Sequence, residues 1–322
     1  MEDNNNDIAV IGLSGAFPGA ASIEMFWENL SNGICSITDV TEDVLIKEGI
    51  PENVYKDESY VAKTSSISNL KEFDANFFGY TPNEAKLMDP QHRIFLEHCW
   101  KAMESAGYIP DECNDMVGVY AGCGMNRYQL SCYDINTAGF GIPDFQKMLA
   151  SEKDYLTTRV SYKLNLRGPS LNVQTACSTS LVSVQLAVLS LQTYQCDMAI
   201  CGGVSANVPH GIGYSYSPGM IFSPDGYCKP FTEAGSGTIF GEGVGVLVLK
   251  RMSEAVEDGD EIIAVIKSAA VNNDGKNKVG YTAPSSEGQM EVIALAQDNG
   301  ADFGYRLNLK KSVHLMAPSP NA

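Results

Sequence analysis

Apolar residues recur along this chain in two patterns, which are short continuous runs and longer segments with helical spacing. Helical spacing is clearest at 89–106, where the apolar side chains fall on one face, and a shorter helix is predicted at 23–32. The β-prone runs that predict strands are 8–11, 117–121, 171–174, 198–204, 244–250 and 262–271. Because strands and helices alternate, the pattern predicts an α/β fold of stacked layers.

One cysteine lies where a predicted strand meets a predicted helix. Cys177 follows the run at 171–174, and a long apolar segment begins at Leu181, which predicts a strand, a tight turn and a buried helix. At a helix start, unpaired N–H groups and the helix dipole favour negative charge, and hence the nucleophilic thiolate. The same groups can hold the oxyanion formed when a thiolate attacks a carbonyl. A buried structural cysteine is the alternative interpretation.

The residues around Cys177 resemble the active-site region of β-ketoacyl synthases, most closely the ketosynthase domains of modular polyketide synthases. The resemblance covers residues 7 to about 298 and rests on several motifs rather than on one. The motifs are Ile8-Ala9-Val10-Ile11-Gly12, Phe17-Pro18-Gly19, Met88-Asp89-Pro90-Gln91-His92-Arg93, Thr175-Ala176-Cys177-Ser178-Thr179-Ser180, Ser223-Pro224-Asp225-Gly226, Gly241-Glu242-Gly243 and Gly280-Tyr281-Thr282-Ala283-Pro284.

This resemblance implies a thiolase-like layered αβαβα fold with two sheets. It divides the chain into an N-terminal half with the nucleophile at 1–255, the start of a C-terminal half at 256–300, and a divergent tail at 301–322. It also implies that Cys177 is the catalytic residue that carries an acyl group as a thioester. Met125 falls where related enzymes line the acyl pocket, so it is the candidate substrate-binding residue, although methionine fills gaps in many cores.

The implied reaction is decarboxylative condensation with a malonyl-type thioester, in polyketide or fatty-acid biosynthesis. The family uses no separate cofactor, because its acyl groups arrive on the phosphopantetheine of an acyl carrier protein. The expected partners are that carrier protein, a second copy of the chain in a homodimer, and other polyketide synthase or peptide synthetase modules. The resemblance leads us to expect a complete N-terminal half and a truncated C-terminal half.

The histidines depart from the family pattern. Family members place one catalytic histidine in a Glu-Ala-His-Gly-Thr-type motif and one in a later Gly-His motif, both beyond the Gly280 segment. None of the four histidines, which are His92, His98, His210 and His314, stands in either motif. From about residue 300 the sequence also stops resembling the family. A frame change in the gene and a dedicated partial protein are two open explanations of this tail.

Composition narrows the classes of partner and compartment. The formal net charge of −17 argues against nucleic acid and anionic membranes as partners. Nine cysteines without a Cys-x-x-Cys pair or a metal-ligand spacing indicate no metal site and a reducing, cytoplasmic location. An acidic carrier protein would need a local basic patch, and the candidate residues for it are Lys163, Arg167, Lys229, Lys250 and Arg251.

Other functions are also open at this point. A non-catalytic ketosynthase-like partner protein would fit the missing histidine motifs, although such partners commonly lack the nucleophile. A cysteine hydrolase could pair Cys177 with His210, but no motif orients that pair. Thiolase is the nearest alternative within the same fold. The absence of a Gly-x-Ser-x-Gly motif argues against an α/β-hydrolase.

Overall fold

The computed structural model describes residues 6–132 and 141–300, so His314 and the predicted tail at 301–322 lie outside the described residues. The strands are β1 (Ile8–Ala16), β2 (Thr38–Asp39), β3 (Tyr60–Val61), β4 (Lys63–Thr64), β5 (Val117–Cys123), β6 (Ser170–Asn172), β7 (Met198–Ser205), β8 (Tyr214–Ser215), β9 (Gly243–Arg251) and β10 (Ala264–Ile266). The helices are α1 (Ile23–Ser31), α2 (Glu42–Lys47), α3 (Glu52–Tyr55), α4 (Pro82–Leu87), α5 (Pro90–Ser105), α6 (Arg127–Cys132), α7 (Ile142–Ser151), α8 (Leu156–Lys163), α9 (Thr179–Gln192), α10 (Met252–Asp258) and α11 (Ser286–Gly300). Three short 3₁₀ turns are Pro110–Glu112, Lys153–Tyr155 and Ala176–Ser178.

Six strands form one mixed sheet in the order β10-β1-β9-β7-β5-β6. Strand β5 runs parallel to β6 and β7, while β9 runs antiparallel to β1 and β7. The carboxyl ends of β5, β6 and β7 therefore lie at the same edge as the start of β9. That edge is where side chains that follow the parallel strands can meet.

Both faces of the sheet are covered by helices, as the alternation of buried side chains along β1 illustrates. Ala9 and Ile11 belong to the core packed against α5, α8 and α10, whereas Ile8 and Val10 belong to the core packed against α9. Successive side chains of a strand point to opposite faces, so a strand covered on both faces is apolar throughout. The prediction of an α/β fold in stacked layers is confirmed.

Two element predictions are wrong in part. The strand predicted at 262–271 is confined to β10, which pairs antiparallel with β1 at the edge of the sheet. Helix α9 was predicted to be buried, but only one side of it packs on the sheet, and Leu181 is 74% exposed. The second sheet of the thiolase-like fold was expected to be largely missing with the truncated C-terminal half, and residues 6–132 and 141–300 form two-stranded sheets in addition to the six-stranded one.

Five basic residues were candidates for a surface patch that binds an acidic carrier protein. Two of them, Lys250 and Arg251, are buried and cannot belong to such a patch. Lys250 belongs to β9 and donates hydrogen bonds to the Tyr108 hydroxyl at 2.7 Å and to Asp260 at 3.0 Å, with Asp258 as a further partner. Arg251 donates to the backbone carbonyls of Leu191 and Cys196 and pairs with Asp197 and Glu254. A buried charge persists only where such partners replace its hydration.

The other three candidate cations have different surroundings. Lys163 donates to the carbonyl of Phe78 at 2.8 Å and lies over the ring of Tyr80. Lys229 pairs with Asp225 four residues earlier, whereas Arg167 is exposed. Two of the five residues are buried, and the other three have different surroundings. The structure therefore gives no support to a basic patch formed by all five residues.

Glycine allows the closest backbone approach beside the predicted active site. A Cβ atom on Gly122, near the end of β5, would lie 1.8 Å from the Val173 carbonyl oxygen and 2.5 Å from the Thr179 Cγ2 atom. A Cβ on Gly202 of β7 would similarly lie 2.0 Å from the Gly245 carbonyl oxygen of β9. Any larger residue at these positions would push the strands or the start of α9 apart.

We expect the substitution Gly122→Ala to destabilise the fold, because the added methyl group overlaps backbone atoms that cannot rotate away. The expected loss in the free energy of unfolding is about 1–3 kcal/mol, the range for overpacked interiors. Urea denaturation followed by circular dichroism would measure it. Gly280→Ala is the matched control, since an added Cβ there has no neighbour within 4 Å. Equal losses in the two variants would contradict the prediction.

Candidate active site

Cys177 lies in the 3₁₀ turn Ala176–Ser178, between β6 and α9, and it is exposed. The residue before it, Ala176, has a φ of +56°, which is the left-handed region. A residue with a side chain pays a cost of roughly 1–2 kcal/mol for that conformation. The strand, tight turn and helix predicted around Cys177 are therefore confirmed, and the turn is strained at the residue next to the thiol.

Hydrogen bonds from neighbouring side chains hold this strained turn. The backbone N–H of Thr175 donates to the Thr179 hydroxyl at 3.0 Å, and the Ser178 hydroxyl donates to the Thr175 carbonyl at 3.0 Å. These bonds satisfy the backbone locally, as hydroxyl side chains commonly do at turns and helix starts. They fix the path of the chain on both sides of Cys177.

The turn stands at the carboxyl edge of the sheet. Thr179, the first residue of α9, lies against Gly122 of β5, and Ser180 lies against Gly203 of β7. The first N–H groups of α9 have no partner within the helix, and the helix dipole adds to their partial positive charge. An exposed thiol beside such donors can attack a carbonyl carbon, and the donors can stabilise the resulting oxyanion.

Met125, the predicted substrate-binding residue, follows β5 at the same edge of the sheet. Its side chain is 68% exposed, and its carbonyl lies 3.5 Å from the amide nitrogen of the buried Gln91. Gln91 also accepts a long hydrogen bond from the backbone N–H of Ala206, just beyond β7. The position of Met125 is thus linked to the ends of both central strands, and its contact with substrate stays a prediction.

Two of the histidines are buried in α5 as neutral side chains. Burial, together with the positive charge of Arg159, lowers the pKa of His92 to about 3. Burial and the charge of Lys101 lower the pKa of His98 to about 4, and its Nδ1 atom lies 2.8 Å from the Ser14 hydroxyl. Both side chains are therefore uncharged at neutral pH and shielded from solvent within α5.

His210 is held by groups other than the thiol. Its Nε2 atom lies 3.1 Å from a carboxyl oxygen of Glu242 and 3.0 Å from the carbonyl oxygen of Ile67. Within residues 6–132 and 141–300, neither His92, His98 nor His210 forms a hydrogen bond with Cys177. The described contacts therefore give the hydrolase alternative, which required Cys177 and His210 to act together, no support.

Glu242 is the residue of this region to which the sequence assigned no role. It is buried although it is acidic, and it follows Gly241 and precedes the apolar strand β9. That context was the available signal, because a carboxyl group at the start of a buried strand needs partners. Its side chain accepts from the N–H groups of Asn207 and Ile67 at 2.9 and 3.1 Å.

The described part of the chain contains no group of three side chains with metal-ligand chemistry. None of its helices combines the length and the apolar character that crossing a membrane requires.

Residues 5–255 match the family described as the β-ketoacyl synthase N-terminal domain. Among curated proteins, the chain is 45% identical over 303 residues to a component of the phenolphthiocerol/phthiocerol polyketide synthase of Mycobacterium tuberculosis, covering 92% of this chain and 20% of that protein. It is 38% identical over 290 residues to polyketide synthase PksN of Bacillus subtilis, covering 90% of this chain and 5% of that protein. The chain thus spans a fifth or less of the length of these relatives.

Solved structures agree with this match. Ketosynthase twelve of the bacillaene polyketide synthase from Bacillus amyloliquefaciens superposes with a TM-score of 0.84 at 37% identity, covering 92% of this chain and 52% of that chain. The ketosynthase from module 1 of the bacillaene synthase from the same species gives a TM-score of 0.79 at 36% identity, with coverages of 93% and 52%. Because the family match spans most of the chain and these relatives and structures agree with it, the chain belongs to the β-ketoacyl synthase family.

Proposed function

We propose that this chain is an acyltransferase of the ketosynthase type, and that Cys177 forms the acyl thioester. The observation that carries the proposal is the exposed thiol in a strained turn at the start of α9, at the carboxyl edge of the sheet. A thiol held in this way faces incoming substrate, while its neighbours are fixed by hydrogen bonds. Membership of a family of condensing enzymes supports the same role.

The proposed first step is a thioester exchange. The thiolate of Cys177 attacks the carbonyl carbon of an acyl thioester, and the negative charge moves to the carbonyl oxygen near the α9 N–H groups. When that intermediate collapses, a carbon–sulfur bond to Cys177 remains and the bond to the donor sulfur breaks. The donor leaves as a thiolate and takes up a proton. We propose that the donor thiol is the phosphopantetheine of an acyl carrier protein.

The proposed second step forms a carbon–carbon bond. A malonyl-type thioester loses carbon dioxide, and the resulting enolate carbon attacks the carbonyl of the acyl group on Cys177. The Cys177 thiolate is the leaving group, so the elongated β-ketoacyl chain stays on the carrier. This step needs donors for the enolate oxygen. Of the described histidines, His92 and His98 are buried in α5 and His210 is held by Glu242, so we assign none of them a role in the second step.

We further propose that the chain works beside other modules of a polyketide synthase and associates as a homodimer. The relatives with long matching segments are polyketide synthases that extend well beyond the matched part. Apolar side chains such as Leu181 and Leu189 on the outer side of α9 are exposed, and association would cover them.

We expect Cys177→Ala to abolish acylation by an acyl thioester such as an acyl-N-acetylcysteamine, because the substitution removes the attacking sulfur. Peptide mass spectrometry would locate and count the acyl group. Cys228→Ala is the matched control, since Cys228 is also exposed but lies in another loop. Retention of the acyl group in Cys177→Ala, or its equal spread over Cys35 and Cys228, would contradict the assignment.

We expect the 322-residue chain to accept an acyl group without extending it, because its sequence contains neither family histidine motif. Release of carbon dioxide from a malonyl thioester and formation of a β-ketoacyl product would be measured together. A longer protein in which the family's C-terminal half, with both motifs, follows residue 298 should recover both activities. Condensation by the 322-residue chain above the rate of Cys177→Ala would overturn this prediction.

We expect Met125→Ala to change which acyl chains are transferred to Cys177, because the substitution removes the side chain predicted to line the acyl pocket. The ratio of long-chain to short-chain acylation rates should shift by about threefold or more, which corresponds to one or two methylene groups of apolar contact. Met116→Ala is the control, since Met116 is also partly exposed but precedes β5 at the opposite edge. An unchanged ratio would exclude Met125 from the pocket.

A further inference from the structure

The carboxyl group of Glu242 contacts two other segments of the chain, one at Ile67 and one at 207–210. One oxygen accepts from the N–H of Asn207 at 2.9 Å, and the other accepts from the N–H of Ile67 at 3.1 Å. The second oxygen also lies 3.1 Å from the Nε2 atom of His210. The side chain of Glu242 is only 3% exposed, so these contacts replace nearly all of its hydration.

The hydrogen-bonding geometry fixes one proton of His210. Its Nε2 atom lies 3.0 Å from the carbonyl oxygen of Ile67, and a carbonyl oxygen can only accept. Nε2 must therefore carry a hydrogen, which it shares between that carbonyl and Glu242. A second proton would enter at Nδ1, so protonation of the ring adds a charge opposite Glu242 without breaking either contact.

The charged groups that face His210 favour its protonated form. Hydrogen bonding to the Glu242 carboxyl group outweighs the opposing effect of burial and raises the pKa of His210 above its usual value of 6.5. Glu48 acts in the same direction, and one of its oxygens accepts from the His210 backbone N–H at 3.2 Å. The other oxygen of Glu48 pairs with Lys71 at 2.6 Å. Two more cations, Lys63 and Arg127, line the adjoining cavity.

This cluster stands behind a cavity at the same edge of the sheet as Cys177. The cavity has a volume of about 100 Å³, and its lining includes Glu242, Asn207, Arg127 and Phe240. Arg127 lies two residues after Met125 beyond β5, Asn207 lies just beyond β7, and Glu242 immediately precedes β9. The segment 206–213 contributes Asn207, Pro209 and Gly211–Gly213 to the lining of this cavity. Its backbone N–H groups donate to Glu242 and Glu48 in the middle of the segment, and to Gln91 and Tyr60 at its two ends.

We propose that the ion pair between His210 and Glu242 positions the segment 206–213 against the cavity at the carboxyl edge of the sheet, and that the pair weakens when His210 loses its second proton. His210 is thus a positioning residue that acts through Glu242. The consequence for acyl transfer rests on the proposed function of Cys177. The expected effect on how firmly the segment 206–213 is held does not rest on that function.

The sign of the pH dependence follows from the raised pKa of His210. A histidine whose pKa is higher in the folded state contributes its stabilisation in full below its unfolded pKa, near 6.5. That contribution is lost as the pH rises through the higher folded pKa. The segment should therefore be held most firmly at pH 6 and less firmly at pH 9, while His98, with its pKa of about 4, stays neutral at both values.

Hydrogen exchange of the full chain, read by mass spectrometry, tests the positioning. At pH 6, the amides of 206–213 should exchange about tenfold faster in His210→Gln than in the unaltered chain. A rate change of about tenfold is expected when one charge-assisted hydrogen bond is lost. At pH 9 the two should exchange alike. His98→Gln is the matched control and should leave 206–213 unchanged at both pH values. Protection of α9 in the same experiment reports whether each variant is folded.

A second variant keeps the test decisive if His210→Gln disturbs packing. Glu242→Gln preserves the shape of the side chain but removes its charge, so it should produce the same acceleration, and the double variant should add little to either. Equal exchange of 206–213 in the unaltered chain and both single variants at pH 6 would overturn the proposal. Additive effects in the double variant would also overturn it, because they would show that the two residues act independently.

Acylation separates this inference from the proposed function. Transfer from an acyl thioester to Cys177 should slow in His210→Gln at pH 6 relative to the unaltered chain, whereas alkylation by the small reagent iodoacetamide should not. Faster exchange without slower acyl transfer would overturn the positioning role. If the unaltered chain accepts no acyl group, the proposed function fails, and the exchange data still decide whether the ion pair holds the segment.

Discussion

The contact between Gly122 and the carbonyl of Val173 is the constraint on which the active-site edge depends. Strand β5 and the segment after β6 approach so closely there that a Cβ atom would lie 1.8 Å from the carbonyl oxygen. Because Thr179 packs against the same glycine, the start of α9 is fixed relative to the sheet. The turn that carries Cys177 lies between these two fixed points, so its path is set by backbone packing as well as by its own hydrogen bonds.

Much of the fold and the nucleophile could be predicted from the sequence. Continuous apolar runs gave β5, β7 and β9 nearly to their ends, since strands covered on both faces leave no polar positions. The position of Cys177 in a turn could be predicted because the residues on either side of it favour a strand and a helix. The resemblance to ketosynthases followed from several short motifs, and most of them fell within the matched part of the chain.

The remaining features depend on contacts that are distant in sequence. Lys250 and Arg251 were counted as surface charges, but their partners are Tyr108, Asp197 and Asp260, which no local pattern connects to them. The role of Glu242 was also invisible, because Ile67 and His210 reach it from segments far away along the chain. The burial of α9 was predicted wrongly for a related reason. Its leucine and valine residues are spread around the helix, and composition cannot show which side a sheet will cover.

The left-handed conformation of Ala176 has a consequence for how this protein can change over time. Glycine would adopt the same backbone angles without the penalty, so the chain carries a residue there that is worse for stability than the simplest alternative. Glycine would also let the turn sample other shapes and would loosen the thiol beside it. Glycine at position 176 would therefore favour stability, whereas alanine favours a fixed position of the thiol. Such a conflict is expected where local strain lies next to a reacting atom. Selection for a more heat-resistant chain would tend to relax the turn, whereas selection for acyl transfer would tend to preserve it.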